Sequence, residues 1–336
     1  MNIYYNIKDV PYDKNTVITV GTFDGVHLGH KEIIQKLTDL ATKTKSRSFI
    51  VTLDPHPRIV LNENKSNTAN NTDNNSDNSI HKTSNNQQDE IKLLNDLEDR
   101  LKLFEDYGVE NVLVINFTKD FAKTSPLSFI EDIIYKNIGF NYFLIGYDHS
   151  FGKNREGDIN LLLEINDTLN FEIEQVAPLL LDENAISSTK VRKSISNGEI
   201  QIANKMLGYD YYIKGFVVEG FKRGRQIGFP TANIEISDKY RLIPMNGVYV
   251  VKLEIENYST KLFGMANIGF RPTFDNDKKL TIEINIFDFN QDIYGNKLKV
   301  SFIDYIRNEQ KFNSIDEIIS QLNKDKIHSL EFVSKL

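Results

Sequence analysis

A short apolar run, Val17 to Val20, ends at Gly21, and from Lys31 onward Ile33, Ile34, Leu37, Leu40 and Ala41 recur at the spacing of one helical face. The pattern predicts a strand, a glycine turn and a helix. A second run, Phe49 to Leu53, stops at Pro55 and Pro57, and later runs at Val112 to Ile115 and Tyr142 to Ile145 alternate with helical stretches. Apolar strands separated by amphipathic helices indicate an α/β fold with a parallel sheet.

After about Gly208 the texture changes to short Val, Ile, Phe and Tyr runs broken by glycine, proline and asparagine turns, which predicts antiparallel β structure. The chain closes on a helix, with Ser314 and Glu317 at capping-box spacing ahead of Ile315, Ile318, Ile319 and Leu322 on one face. Two domains are therefore expected, residues 1–209 and 210–336. The length of 336 residues agrees, because domains average about 150 residues. Between residues 62 and 89 the chain is a polar tract of Asn, Ser, Thr and Asp. It carries too few apolar residues to offset the entropy of ordering, and is expected to be a disordered surface insertion.

Composition narrows the function. No apolar run approaches the roughly 20 residues that span a bilayer, and the N-terminus lacks the succession of a secretory signal, so a cytoplasmic protein without a membrane partner is expected. The absence of cysteine removes disulfides, thiolate metal sites and cysteine nucleophiles together. A net charge of -7 argues against a nucleic-acid partner, yet leaves room for local basic pockets that receive small phosphorylated ligands.

Three segments offer such pockets. In GTFDGVHLGH, Gly21 to His30, glycines permit a tight turn, and His27 and His30 bracket Gly29 at a helix start. The first-turn amides and helix dipole attract anions, and the histidines can donate to charge developing on a phosphoryl group. The sequence lacks both the GK[ST] ending of a Walker loop and the GxGxxG spacing of dinucleotide folds. Further on, ISSTKVR, Ile186 to Arg192, gathers hydroxyls and cations at a second helix start. It reads either as a clamp for the β and γ phosphates of ATP or as an ordinary N-cap with a solvated basic face. Third, GFVVEGFKRGRQIGFPTAN, from Gly215 to Asn233, sets Gly220, Gly224 and Gly228 beside Lys222, Arg223 and Arg225. Thr231 and Asn233 then share one side of a strand and suit a Mg²⁺ held by nucleotide phosphates, although a plain basic hairpin has the same composition.

In LTIEINIFDF, Glu283 and Asn285 point away from Ile282, Ile284 and Ile286. Glu283 is placed either to accept a substrate hydroxyl proton or simply to face solvent.

The ordered set GTFDGVHLGH, LDPHP (Leu53 to Pro57), GYDHSFGKNREGD and ISSTKVR resembles the first half of bacterial bifunctional riboflavin kinase/FAD synthetases. GFPTAN from Gly228, GVY at Gly247, NIGFRPTF from Asn267 and RNEQKF from Arg307 resemble the second half. The resemblance implies a Rossmann-like nucleotidyltransferase domain followed by a six-stranded riboflavin-kinase barrel with a terminal helix. It implies MgATP, riboflavin and FMN as substrates and FAD as product. In the first domain it assigns Gly21, Phe23, Asp24, His27, Gly29, His30, Ser188, Thr189 and Arg192 to ATP, with His27 and His30 catalytic. Asp54, Pro55, His56, Pro57, Asp148 and Phe151 fall to the flavin. In the second it assigns Gly220, Lys222, Gly228, Thr231 and Asn233 to ATP, the last two also to the metal, Glu283 as catalytic base, and Arg307 and Phe312 to the flavin. His149 and Ser150 stand where the family has an aromatic–basic pair, and Asn285 where it often has histidine. A chain with one surviving activity, or a noncatalytic flavin or nucleotide binder, would carry the same motifs.

Overall fold

The computed structural model describes residues 1–68, 91–147, 149–220, 223–272 and 278–336. Most of the expected insertion at 62–89, together with Asp148 and Lys222, lies outside them. By packing, the chain divides into two units, Met1–Ile186 and Ser187–Leu336.

The first unit runs β1 (Asn2–Tyr4), β2 (Thr16–Val20), α1 (Leu28–Thr44), β3 (Arg47–Asp54), α2 (Pro57–Thr68), α3 (Leu97–Asp106) and β4 (Asn111–Asn116). A short α4 (Pro126–Ser128) leads into a π-helical turn, Phe129–Tyr135, followed by β5 (Tyr142–Gly146), α5 (Ile159–Leu169), β6 (Glu172–Val176) and the small hairpin β7 (Leu180–Leu181) and β8 (Asn184–Ala185). Six strands form one parallel sheet in the order β1-β4-β3-β2-β5-β6. Both faces are covered, which is why its strands read as continuous apolar runs. Ile18, Phe49, Leu113 and Phe143 pack with Phe129, Ile130 and Leu162 on one face. Val17, Ile50, Val112 and Leu144 pack with Ile34, Leu37, Leu101 and Phe104 on the other. Strand order reverses beside β2, and in open α/β sheets ligands bind at the carboxyl ends of strands at such a switch.

The polar tract begins differently from expectation. Residues 62–68 continue α2, because Pro57 opens that helix and His56 Nδ1 accepts the Arg58 backbone N–H at 3.2 Å. A helix started this way propagates into residues that would not nucleate one.

The second unit begins with α6 (Ser188–Ser196) and α7 (Ile200–Leu207), so packing divides the chain earlier than the expected 209/210 boundary. The reason lies in side chains: Asn204 donates to the Phe302 carbonyl at 2.9 Å and accepts from the Tyr211 amide at 2.8 Å. Six antiparallel strands follow, β9 (Tyr212–Val218), β10 (Ala232–Glu235), β11 (Gly247–Ile255), β12 (Leu262–Pro272), β13 (Lys278–Ile286) and β14 (Lys297–Arg307), with a one-turn α8 (Arg223–Gln226) after β9 and the terminal α9 (Ile315–Val333). The strands close into a barrel in the order β10-β13-β12-β11-β14-β9, so each has a neighbour on both sides. Ser314 caps α9 by accepting the Glu317 N–H at 3.2 Å, and Glu317 reaches back to the Asn313 amide at 2.8 Å. Ile319 and Leu322 of α9 pack against Val248, Met265 and Phe287, while Ile315 at its first turn is exposed.

Candidate active sites

In the first unit, the loop after β2 is wound by positive φ at Phe23, Gly25 and Val26. Gly25 is required there: a Cβ would meet Leu94 Cδ1 at 2.5 Å. Asp24 is buried and its Oδ1 accepts the Leu94 amide at 2.9 Å, while Asn95 Oδ1 accepts the Gly25 amide at 3.1 Å. The Asp24 carboxylate thus fastens the loop to the segment before α3. Gly21 donates its amide to the Val51 carbonyl at 3.0 Å.

His27 caps α1, its Nδ1 accepting the His30 amide at 3.3 Å. In the neutral ring this puts the proton on Nε2 and makes that atom the donor. The His27 and His30 rings stack with centroids 3.7 Å apart, over Gly29, and Phe23 meets the His30 ring edge-on at 5.1 Å. Burial holds the His30 imidazole well below its ordinary pKa, and the neighbouring His27 and His149 push the same way. His30 Nδ1 is buried and has no hydrogen-bond partner among the described residues. Two stacked imidazoles at a helix N-terminus therefore present donors beside a positive dipole end, a setting for phosphate.

The LDPHP segment ends β3. Asp54 is partly exposed and pairs with Arg100 at 2.8 Å, His56 is buried, and the Asp54–Pro55 peptide is cis. Phe151 is buried among core residues against Phe129, and its ring lies 6.3 Å from that of His149. Arg100 belongs to none of the sequence motifs. Its guanidinium is buried, donating to the Thr22 and Leu53 carbonyls at 2.6 and 3.2 Å and to Thr52 Oγ1 at 3.3 Å.

Of the ISSTKVR residues, Ser187 caps α6, accepting the Lys190 amide at 3.4 Å. Ser188 and Thr189 occupy its first turn, and Arg192 follows within the next turn.

The barrel register assembles the second site. Asn233 of β10 stands opposite Glu283 of β13, Glu283 opposite Asn267 of β12, Asn267 opposite Val248 of β11, and Val248 opposite Arg307 of β14. Directly opposed residues of antiparallel strands share a face, so residues 74 positions apart in sequence, Asn233 and Arg307, join one girdle. A hollow of about 270 Å³ opens on it, lined among others by Thr231, Asn267, Glu283, Asn285, Arg307 and Phe312. Thr231 Oγ1 donates to Glu283 Oε2 at 3.3 Å. Gly220 lies so close to the Asn233 amide that a Cβ would come within 2.1 Å of its Nδ2. Gly228, with φ +82, ends the turn that leads to Phe229.

Arg307 meets Asp325 of α9 in a forked pair, Nε to Oδ1 at 3.0 Å and the terminal nitrogen to Oδ2 at 2.7 Å, and lies 6.0 Å from the Phe312 ring. Asp325, buried in α9, belongs to no sequence motif either. Asn285 is buried and donates to the Pro230 carbonyl at 2.8 Å, which gives the residue standing in place of histidine a bracing role. No cluster of three or more His, Cys, Asp or Glu able to hold a metal occurs among the described residues. The Thr231 hydroxyl, Asn233 carbonyl and Glu283 carboxylate are instead hard oxygen donors of the kind that suit a Mg²⁺ already bound to nucleotide phosphates.

A parallel-sheet unit with stacked histidines at its switch point, followed in the chain by a closed barrel with a carboxylate-lined hollow, defines a two-module transferase acting on phosphorylated nucleotides. Residues 9–190 match the FAD synthetase family and residues 207–333 the riboflavin kinase family. The chain is 37% identical to the bifunctional riboflavin kinase/FMN adenylyltransferase of Listeria monocytogenes over 96% of this chain and 94% of that one. The enzyme of the same name from Escherichia coli K12 is 31% identical over 98% and 96%. A solved structure described as a macrolide-efflux protein from Streptococcus pneumoniae is 30% identical, covers 97% of both chains and superposes with a TM-score of 0.81. No helix among the described residues is long and apolar enough to cross a membrane. The chain belongs to the bifunctional riboflavin kinase/FMN adenylyltransferase family, and it is an enzyme carrying both domains.

Proposed function

We propose that the barrel unit phosphorylates riboflavin with MgATP, giving FMN and ADP, and that the parallel-sheet unit joins FMN to a second ATP, giving FAD and pyrophosphate. The observation that supports the first assignment is the register that sets Asn233, Glu283 and Asn267 side by side, with Glu283 and Asn267 lining the hollow. Glu283 takes the proton of the ribityl terminal hydroxyl as its oxygen bonds to the γ-phosphorus and the bond to the ADP oxygen breaks. Thr231 orients that carboxylate and, with Asn233, would hold the Mg²⁺ that enters with the nucleotide; when bound, the ion neutralises phosphate charge. Arg307 and Phe312 offer a cation and a ring to the flavin.

In the other unit the FMN phosphate oxygen attacks the α-phosphorus of ATP and pyrophosphate leaves unprotonated. His27 and His30 donate to the phosphate oxygens as charge moves onto them, and the α1 N-terminus adds its dipole. Ser188, Thr189 and Arg192 at the start of α6 are assigned to ATP phosphates, and Asp54 to Pro57 to the flavin. Small flavins and ATP are the partners, in the cytoplasm.

The test resolves flavins chromatographically while ADP and pyrophosphate are assayed. Riboflavin with MgATP is expected to give FMN with ADP and then FAD with pyrophosphate, and FMN with MgATP to give FAD with pyrophosphate. Flavin binding without either product would overturn the reading.

A further inference from the structure

We propose that Arg100 is a positioning residue for adenylyl transfer, holding the loop that carries His27 and His30 against the loop that carries Asp54 to Pro57. The proposal rests on the reading that the first unit transfers an adenylyl group. Strands β2 and β3 pair in register as far as Val20 and Val51, and one further bond, Gly21 N–H to the Val51 carbonyl, closes the ladder. Beyond it the two chains part, one toward the histidines and the other toward the prolines. Among the described residues, no strand pairing between β2 and β3 fixes their separation from there on.

Arg100 spans that gap. One terminal nitrogen donates to the Thr22 carbonyl at 2.6 Å on the histidine side and to the Leu53 carbonyl at 3.2 Å on the other, while the second reaches Asp54 Oδ1 at 2.8 Å. A planar fork can serve both chains at fixed geometry, which the single point charge of a lysine cannot. The position argues against a purely packing role. Leu97, Leu101 and Phe104 share the same helical stripe, and a guanidinium only 3% exposed on that stripe carries a desolvation cost an apolar residue would avoid.

A second line runs from the same helix to the same histidine. Phe104, one turn beyond Arg100, meets the Phe23 ring edge-on at 5.4 Å, and Phe23 in turn meets His30 at 5.1 Å. Thus α3 holds the backbone just before Phe23 through Arg100 and the Phe23 ring through Phe104. Displacement of Thr22 would shift Phe23, and with it the ring of His30.

Riboflavin phosphorylation reports on the barrel unit alone, so the thermal transition of the first unit is followed beside it to show that each variant is folded there. In Arg100→Lys the kcat of FMN adenylylation is expected to fall at least about tenfold, since small misplacements of a reacting constellation cost that much. The first unit keeps its cooperative thermal transition, and the riboflavin phosphorylation rate stays at the wild-type value. Asp54→Asn is expected to lower adenylylation less, and the double variant to be no slower than Arg100→Lys, because the two act in one network. Wild-type adenylylation by folded Arg100→Lys, parallel loss of both reactions, or effects that multiply in the double variant would each overturn the proposal. Absence of FAD formation by the wild-type chain would remove the underlying reading, and the proposal with it.

Discussion

Asn285 donates a 2.8 Å hydrogen bond to the carbonyl of Pro230, the residue immediately before Thr231. The bond ties the middle of β13 to the start of β10, and Thr231 in turn donates to Glu283 on the same strand as Asn285. Asn285→Ala leaves a carbonyl without this partner and frees the Thr231 backbone. Riboflavin phosphorylation is expected to slow by about tenfold with adenylylation unchanged. Steady-state rates of both reactions on one preparation check this, and an unaltered kinase rate would remove the bracing role.

His30 is stacked on His27 at the α1 N-terminus, so its removal takes away a donor without opening the sheet core. His30→Ala is expected to lower the kcat of FAD formation by about 100-fold, the usual cost of a lost charge-stabilising donor, and to leave FMN formation intact. Loss of both reactions in a folded variant would contradict the separation of the two sites.

The depressed pKa of His30 also carries a stability consequence. The unfolded chain takes up a proton near the ordinary histidine value of 6.5, whereas the folded site resists it. Below that pH the unfolded state binds more protons, so this contribution to stability is present above 6.5 and is lost as pH falls toward the folded value. The thermal transition of the first unit is expected to drop between about pH 7.5 and 5.5 by less in His30→Gln than in the wild type. Equal drops would show that His30 is not held neutral.

Asp325 is 1% exposed and supports Arg307, itself largely buried. Asp325→Ala strands that guanidinium and is expected to cost about 3 kcal/mol, a fall in the barrel's melting temperature on the order of 10 °C. Calorimetry checks the shift, and a change under about 2 °C would mean that water replaces the pair without loss.

Much of this architecture is legible in the chain. The run from Val17 into Gly21 and the helical spacing after Lys31 mark out β2 and α1, and the alternation through Ile282, Glu283, Ile284 and Asn285 marks the strand that carries Glu283 to the hollow. What escapes the sequence depends on partners distant along it. Arg100 and Asp325 each sit where a helix's apolar stripe calls for a hydrophobic residue, Arg100 one turn beyond Leu97 and Asp325 one turn beyond Leu322. That misfit is the available signal, but only the fold supplies Asp54 and Arg307 as the counter-charges. The 209/210 boundary follows a change of texture, whereas packing is decided by contacts such as Asn204 to Phe302.

Two independent sites acting in series on one flavin must be separable by a single substitution. Glu283→Gln, assayed side by side with riboflavin and with FMN as substrate, tests this most directly. FMN formation is expected to fall by roughly 100-fold or more, as for loss of a general base, while FAD formation from supplied FMN proceeds at the wild-type rate. Unimpaired phosphorylation of riboflavin, or loss of FAD formation from FMN in a folded protein, would contradict it.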